Sequence, residues 1–248
     1  GGIIVFAAGN ESAPAASYPA AYPDYISVAG TAGDFTPAVY TNYGFGTTIS
    51  APGGDWDYYY EYGEGSDIGK LGCVLSTLPY NVTGAAGDMA GYGYMEGTSM
   101  ACPHVSGVVA LGLSYAKKLR KHFKAEEFKA LMYESATPID EYMDGTKQYR
   151  KYVADLYDSA PMMSIDISDF RGGMGSGQIN AYALLKAIEG AGADMTFPNL
   201  YVAVGGQTTV VPSMYMDGKS FTVTVEDTSV AAAEIVDGRM IVKGLKAG

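Results

Sequence analysis

From Ser99 to Tyr115 the chain is apolar or small at almost every position: Met100, Ala101, Val105, Val108, Val109, Ala110, Leu111 and Leu113 leave no polar face. Such a run predicts a helix, and a helix apolar all round is buried within its domain. Pro103 fits its first turn, where a missing N–H removes no internal bond. Gly97 closes the preceding loop, so Ser99 stands at the N-terminal end of the helix. Unpaired backbone N–H groups and the positive end of the dipole meet there and favour developing negative charge. A serine before a helix is most often a cap. The same position also suits acyl transfer, which needs an oxyanion donor beside the attacking oxygen.

A buried helix needs a core around it. The chain has 248 residues, enough for one large domain or one and a fraction, and 48% of them are hydrophobic against 17% charged. Sixteen basic and 27 acidic side chains give a net charge of −11, which argues against nucleic acid or an anionic membrane as partner. No apolar run reaches the length of a membrane span. Cys73 and Cys102 make neither a disulfide framework nor a zinc pattern, and nothing in their spacing demands a bond between them.

The chain opens with Gly1-Gly2 and runs straight into Ile3-Ile4-Val5-Phe6-Ala7, which reads as a fully buried parallel strand over 3–8. An opening inside a core strand suggests a piece of something longer, with an unpaired sheet edge that invites association. Asn10 follows at the carboxyl end of the strand, where α/β sheets gather ligands, although an asparagine there is most simply a turn residue. Further strands are expected at Tyr25 to Ala29, Ile49 to Pro52 and Cys73 to Pro79. Ala125 to Ser135 predicts an amphipathic helix with Phe128, Leu131 and Met132 on one face. The segment Lys117 to Lys124 is basic, as suits a solvated helix C-terminus. Residues 55–70 look like a loop insertion, 84–93 like a glycine-rich expansion, and 139–171 like an irregular insertion. Asn81-Val82-Thr83 has the form of a glycan acceptor. From Phe197 onward the pattern changes to short alternating strands at Leu200 to Val204, Thr208 to Val211, Phe221 to Val225 and Ile241 to Val242.

The string Gly97-Thr98-Ser99-Met100-Ala101-Cys102-Pro103-His104-Val105-Ser106-Gly107 closely resembles the catalytic-serine segment of the subtilisin-like (subtilase) serine proteases. It is not the Gly-x-Ser-x-Gly elbow of α/β-hydrolases, because Ala101 stands where the last glycine would be. Ala7-Ala8-Gly9-Asn10, Ser76-Thr77-Leu78-Pro79 and Gly175-Ser176-Gly177-Gln178-Ile179-Asn180-Ala181 match the same family in order, over about residues 1–190. The last of these would open a helix reaching about Ile188.

The resemblance implies an α/β fold: a subtilisin-like parallel sheet with helices on both faces, lacking its N-terminal part, over 1–192. After it, residues 193–248 resemble a partial all-β immunoglobulin-like module of the bacterial group 2 type. It further implies a serine endopeptidase with Ser99 as nucleophile, and with Asn10 and the Ser99 N–H as oxyanion donors. Ala7, Ala8 and Gly9 would wall the pocket for the side chain before the scissile bond, with Ser17 at its floor. Such small neutral residues suggest bulky apolar or uncharged side chains over Lys or Arg. No cofactor is implied, and the weak cation site of some relatives is not expected, since Thr48 replaces the hoped-for carboxylate.

Ser99 needs a base, and the base an orienting acid. His104 lies about 140° round the helix from Ser99, so a packed, hydrogen-bonded structural role is expected; His122 is too far along the chain. The family order implies that both partners precede Gly1. The isolated chain is therefore expected to be inactive, with its own missing N-terminal part and a polypeptide substrate as partners. The implied location is secreted or cell-surface, in a bacterium. Met100, beside the nucleophile, is an oxidation liability. A second reading is a non-catalytic subtilase-like binding or adhesion module on a surface protein.

Overall fold

The computed structural model describes residues 2–59, 72–79, 91–150, 161–192, 194–195, 202–210, 222–237 and 239–247. Most of the expected insertion at 55–70, most of 84–93 and the Asn81-Val82-Thr83 sequence lie outside them. The chain divides into two compact units: Gly1–Tyr115 with Phe123–Gly192, and Ala116–His122 with Ala193–Gly248.

The first unit is built on a parallel sheet of β1 (Val5–Ala7), β2 (Ile26–Thr31) and β3 (Ile49–Pro52), paired in that order with Val5 opposite Ile26 and Val28 opposite Ile49. Every residue of β2 is buried, as a central strand covered on both faces should be. β1 is only half-buried, contrary to the fully buried strand expected from its apolar run. It pairs on one side alone among the described residues, and Ile4 is 47% exposed. An apolar run specifies what a strand tolerates, not that both of its edges are occupied.

Beyond β3 come a short helix α1 (Trp56–Tyr59) and the antiparallel pair β4 (Val74–Thr77) and β5 (Tyr92–Met95). The long helix α2 (Thr98–Lys118) follows, then β6 (Lys121–His122) and α3 (Ala125–Glu134). The buried face of α3 is Phe128, Lys129 and Met132, with Leu131 half-buried. Helix α4 (Ala181–Gly190) is opened by Asn180, whose side chain accepts the N–H of Ala183 at 2.9 Å. The helices meet at Gly112, where an added Cβ would lie 2.8 Å from Phe128 and 3.1 Å from Leu184.

Two expectations need correcting. α2 is not buried all round: Ala101, Val105, Val109, Gly112 and Ala116 form one buried stripe, while Leu111 and Leu113 on the other side are 48% and 42% exposed. Its sequence has no polar face, so the side that packs could not be read from periodicity; small residues take the packing, and among the described residues nothing covers the rest. Second, 139–171 is not merely irregular. It holds the antiparallel hairpin β7 (Thr146–Tyr149) and β8 (Met163–Asp166), and it places Ile139, Met143 and Phe170 in a core cluster with Ala29 and Met174.

In the second unit β9 (Asp194–Met195) pairs with β6, and β10 (Gln207–Val210), β11 (Ala231–Val236) and β12 (Arg239–Gly244) form an antiparallel sheet in the order β10-β12-β11. Asp237, with φ +50, begins the tight turn of the β11–β12 hairpin. Val204 makes only an isolated bridge to Gly244, and residues 222–225 are not strand, unlike the expectation for that stretch. Their alternation has no partner strand beside it among the described residues.

Candidate active site

α2 starts at Thr98, and its free N–H groups can be accounted for one by one. Thr98 N–H donates to Asn10 Oδ1 at 2.9 Å, and the Thr98 hydroxyl donates to the same oxygen at 2.8 Å while accepting the Gly9 N–H at 3.2 Å. The N–H groups of Met100 and Ala101 both reach the Gly97 carbonyl, at 2.9 and 3.2 Å. Ser99 is exposed, and among the described residues neither its N–H nor its hydroxyl has a partner. A capping serine would give its oxygen to an N–H of its own helix. Here an asparagine from the end of β1 performs the capping, and the serine is left open.

The anchoring also orients Asn10. A backbone N–H can only donate, so the amide oxygen must face Thr98 and the amide nitrogen must face away. A Cβ built on Gly97, a residue at φ +137, would lie 3.6 Å from Asn10 Nδ2 and 3.6 Å from Ser99 N. Among the described residues neither donor has an acceptor, so the two border one small space beside the serine into which glycine extends no side chain.

The four small-residue positions also assemble. Ala8 is buried and its carbonyl accepts the Ser17 N–H at 2.7 Å, so the wall Ala7-Ala8-Gly9 is joined to the loop carrying Ser17. The joint is made by Asn42, 1% exposed, whose two Nδ2 hydrogens are shared among Glu11 Oε2 at 2.7 Å, the Ala8 carbonyl at 3.2 Å and Ser17 Oγ at 3.3 Å. A Cβ on Gly9 would collide with Glu11 Oε2 at 2.5 Å and with Ser17 Oγ at 2.8 Å. A carboxylate thus stands beside Gly9 and Ser17.

Behind the serine lies a second, ionisable group of contacts. Gly97 N–H is shared between the Gly53 carbonyl and the Tyr40 hydroxyl, both at 2.9 Å, and that hydroxyl donates to the Gly54 carbonyl at 2.7 Å. Glu96 Oε2 accepts the backbone N–H of Trp56. Asp55, 0% exposed, forms a buried ion pair with Lys147 of β7 at 2.9 Å; Lys147 also donates to the Pro37 carbonyl at 2.6 Å and sits 4.2 Å from the Tyr58 ring centre. Burial pushes the Glu96 carboxyl up to about 7 and the Cys73 thiol up to about 12, with the surrounding carboxylates adding to both shifts. Burial also holds the Asp55 carboxyl above its usual range despite the Lys147 ammonium, and the Tyr40 hydroxyl well above its own.

His104 is hydrogen-bonded, with Nδ1 2.8 Å from the Met100 carbonyl, but it is exposed rather than packed. Its ring turns back on its own helix because nothing described covers that face. Both cysteines are free. Thr48 serves the sheet, accepting the Ser27 N–H at 2.9 Å, and among the described residues no group of His, Cys, Asp or Glu is arranged to hold a metal. Thr98, Asn42, Glu11 and Glu96 escaped the sequence reading. Glu11 and Glu96 adjoin the two motifs, and Asn42 lies in Tyr40 to Gly44, a stretch that resembles the family without marking a role for it.

A parallel sheet that brings an asparagine amide to an exposed serine at a helix start defines a chain of the subtilisin-like α/β class. Residues 1–175 match the subtilase family, and the chain belongs to it. Among its relatives are the extracellular basic protease of Dichelobacter nodosus, 32% identical over 58% of this chain and 21% of that protein, and halolysin of Haloferax mediterranei, 33% identical over 49% and 19%. The extracellular protease of Xanthomonas campestris is 38% identical over 47% of this chain and 17% of its own length. The matches thus span about a fifth of these relatives. A solved protease of Pseudoalteromonas arctica shares the fold with a TM-score of 0.50 at 24% identity, over 76% of this chain and 43% of that one.

Proposed function

We propose that this chain is part of a secreted serine endopeptidase in which Ser99 forms the acyl-enzyme. The observation that carries the reading is the pair of donors, Asn10 Nδ2 and the Ser99 N–H, which have no acceptor among the described residues and both lie 3.6 Å from where a Cβ on Gly97 would stand. Attack by Ser99 Oγ on a peptide carbonyl puts negative charge on the carbonyl oxygen, and both donors stabilise it there. The serine proton passes to a base and then to the leaving amine; water hydrolyses the ester in the second half. His104 is bonded back to the Met100 carbonyl of its own helix, and in this reading the base and its orienting Asp come from chain upstream of residue 1. The face of α2 and the edge of β1 that no described residue covers are the surfaces such chain would occupy. Secretion is supported by the extracellular proteases among the relatives. Residues 193–248 read as a partial immunoglobulin-like β-module attached to the peptidase part.

The pocket beside Ser99 is shaped by Ala7, Ala8, Gly9 and Ser17, with Glu11 in its wall. That carboxylate revises the preference expected from small neutral residues: a Lys or Arg before the scissile bond can place its cation against Glu11. A purely adhesive role is disfavoured, because a binding platform has no use for an open serine next to an oriented amide. The test is labelling of the complete protein with a fluorophosphonate, with Ser99→Ala as control. Covalent adduct on Ser99, lost in the variant, is expected; an unlabelled wild-type protein would sink the enzyme reading.

A further inference from the structure

The turn that presents Ser99 is held from behind by a carboxyl group that the acyl-transfer chemistry does not use. Glu96 directly precedes Gly97, Thr98 and Ser99. Its Oε2 accepts the backbone N–H of Trp56, the first residue of α1, and its Cβ would touch a Cβ on Gly54 at 3.4 Å. The Gly97 N–H makes two further ties to the same stretch, to Gly53 directly and to Gly54 through Tyr40. The turns at 53–56 and 96–97 are thus fastened together at three points. A cavity of about 230 Å³ lined by Trp56, Cys73, Tyr94, Met95 and Glu96 lies over the junction, which gives the carboxyl room to exchange its proton.

We propose that Glu96 is a positioning residue that works as a neutral carboxylic acid, holding the Trp56 N–H and so fixing the turn from which Ser99 is presented. The proposal rests on the reading of Ser99 as nucleophile. Burial is the largest influence on this carboxyl, and on balance the surroundings favour its neutral form. Asp55 in the turn after β3 and Asp57 in α1 both oppose a further negative charge, and the Trp56 N–H alone favours it. Cys73 before β4 and Tyr40 are themselves held neutral by burial. The nearby cation, Lys147, is committed to Asp55 at 2.9 Å.

The sign of the effect follows. The folded carboxyl is raised from 4.5 to about 7, so its contribution to closing the turn is complete below the lower value, shrinks as pH rises between the two, and stays lost above about 7. Glu96→Gln keeps an acceptor for Trp56 and cannot ionise; Glu96→Ala removes the tie.

The experiment compares the complete protein with these two variants in three readouts: fluorophosphonate labelling of Ser99 from pH 5 to 9, amide exchange of residues 97–100, and the carbon-13 signal of the Glu96 carboxyl. The expected result is a carboxyl midpoint near 7, Glu96→Gln labelled faster than wild type at pH 8, and Glu96→Ala about tenfold slower than wild type at pH 5.5 with faster exchange, the two converging at pH 8. The proposal is overturned if the carboxyl titrates near the ordinary glutamate value. It also fails if Glu96→Ala matches wild type at pH 5.5, or if Glu96→Gln is as slow as Glu96→Ala. Should Ser99 prove unlabelled in wild type, the enzyme reading falls, while exchange at 97–100 still decides whether Glu96 fastens the turn. If Glu96→Ala does not fold, the carboxyl titration and the exchange of Glu96→Gln against wild type decide.

Discussion

Two networks meet at the turn of Gly97, and they differ in kind. In front, Asn10, Thr98 and Asn42 are neutral amides and a hydroxyl, each oriented by backbone groups. Behind, Glu96, Tyr40, Asp55 and Lys147 are ionisable and largely removed from water. The contrast shows a division of labour. Neutral donors beside the serine keep one orientation at any working pH, whereas the rigidity of the turn is entrusted to groups whose charge must be suppressed or balanced. The front network should therefore fail by losing rate and the rear one by losing structure.

The strongest blow to the rear network is Lys147→Met. It leaves the Asp55 carboxylate enclosed without its cation, a change that costs about 3–5 kcal/mol of stability. Because burial already holds Asp55 above its usual range, the deficit is smallest in acid, where Asp55 protonates, and grows as pH rises. Thermal unfolding at pH 5 and pH 8 checks this, and Asp55→Asn combined with Lys147→Met should recover most of the loss. A single variant as stable as wild type at pH 8 would erase the distinction between the two sides.

On the front side, Asn10→Ala should slow acylation by about 10²–10³-fold, or roughly 3 kcal/mol, a magnitude known from a subtilisin. Stopped-flow acylation with an ester substrate measures the rate, and KM should change little. Asn10 also caps α2 through Thr98, so a stability loss of about 1 kcal/mol accompanies it. Asn10→Asp separates the two effects, since its carboxylate can still accept from Thr98 but offers no amide donor.

The two networks were unequally legible in the sequence. Ser99 and Asn10 stand in short local strings, and the chemistry of a serine at a helix start can be argued from one window. The partner that orients Asn10 cannot: Thr98 meets it across a separation of 88 residues, and only the parallel sheet brings them together. The rear network was harder still. Lys147 looked like part of an irregular insertion, and nothing in a linear reading pairs it with Asp55, 92 residues away. The bare side of α2 was missed for a different reason: a sequence apolar on both faces carries no period to show which one packs.

The smallest effect sharpens the comparison at its border, where one charged group intrudes on the neutral side. Glu11 is exposed, yet its Oε2 is held by Asn42 at 2.7 Å and stands where a Cβ on Gly9 would be. A substrate cation entering the pocket would meet a carboxylate fixed in place, without first ordering it. Solvent weakens the attraction, which sets its worth at about 1 kcal/mol and not the several expected of a buried pair. Glu11→Gln keeps the bond from Asn42 through its amide oxygen and removes the charge. It should lower kcat/KM for a peptide with Lys before the scissile bond by roughly fivefold and leave the corresponding Leu peptide within twofold. The difference should shrink in high salt, since the pair is screened. Equal loss on both peptides would mean that Glu11 only braces the pocket wall, and the charge in the front network would then have no bearing on choice of substrate.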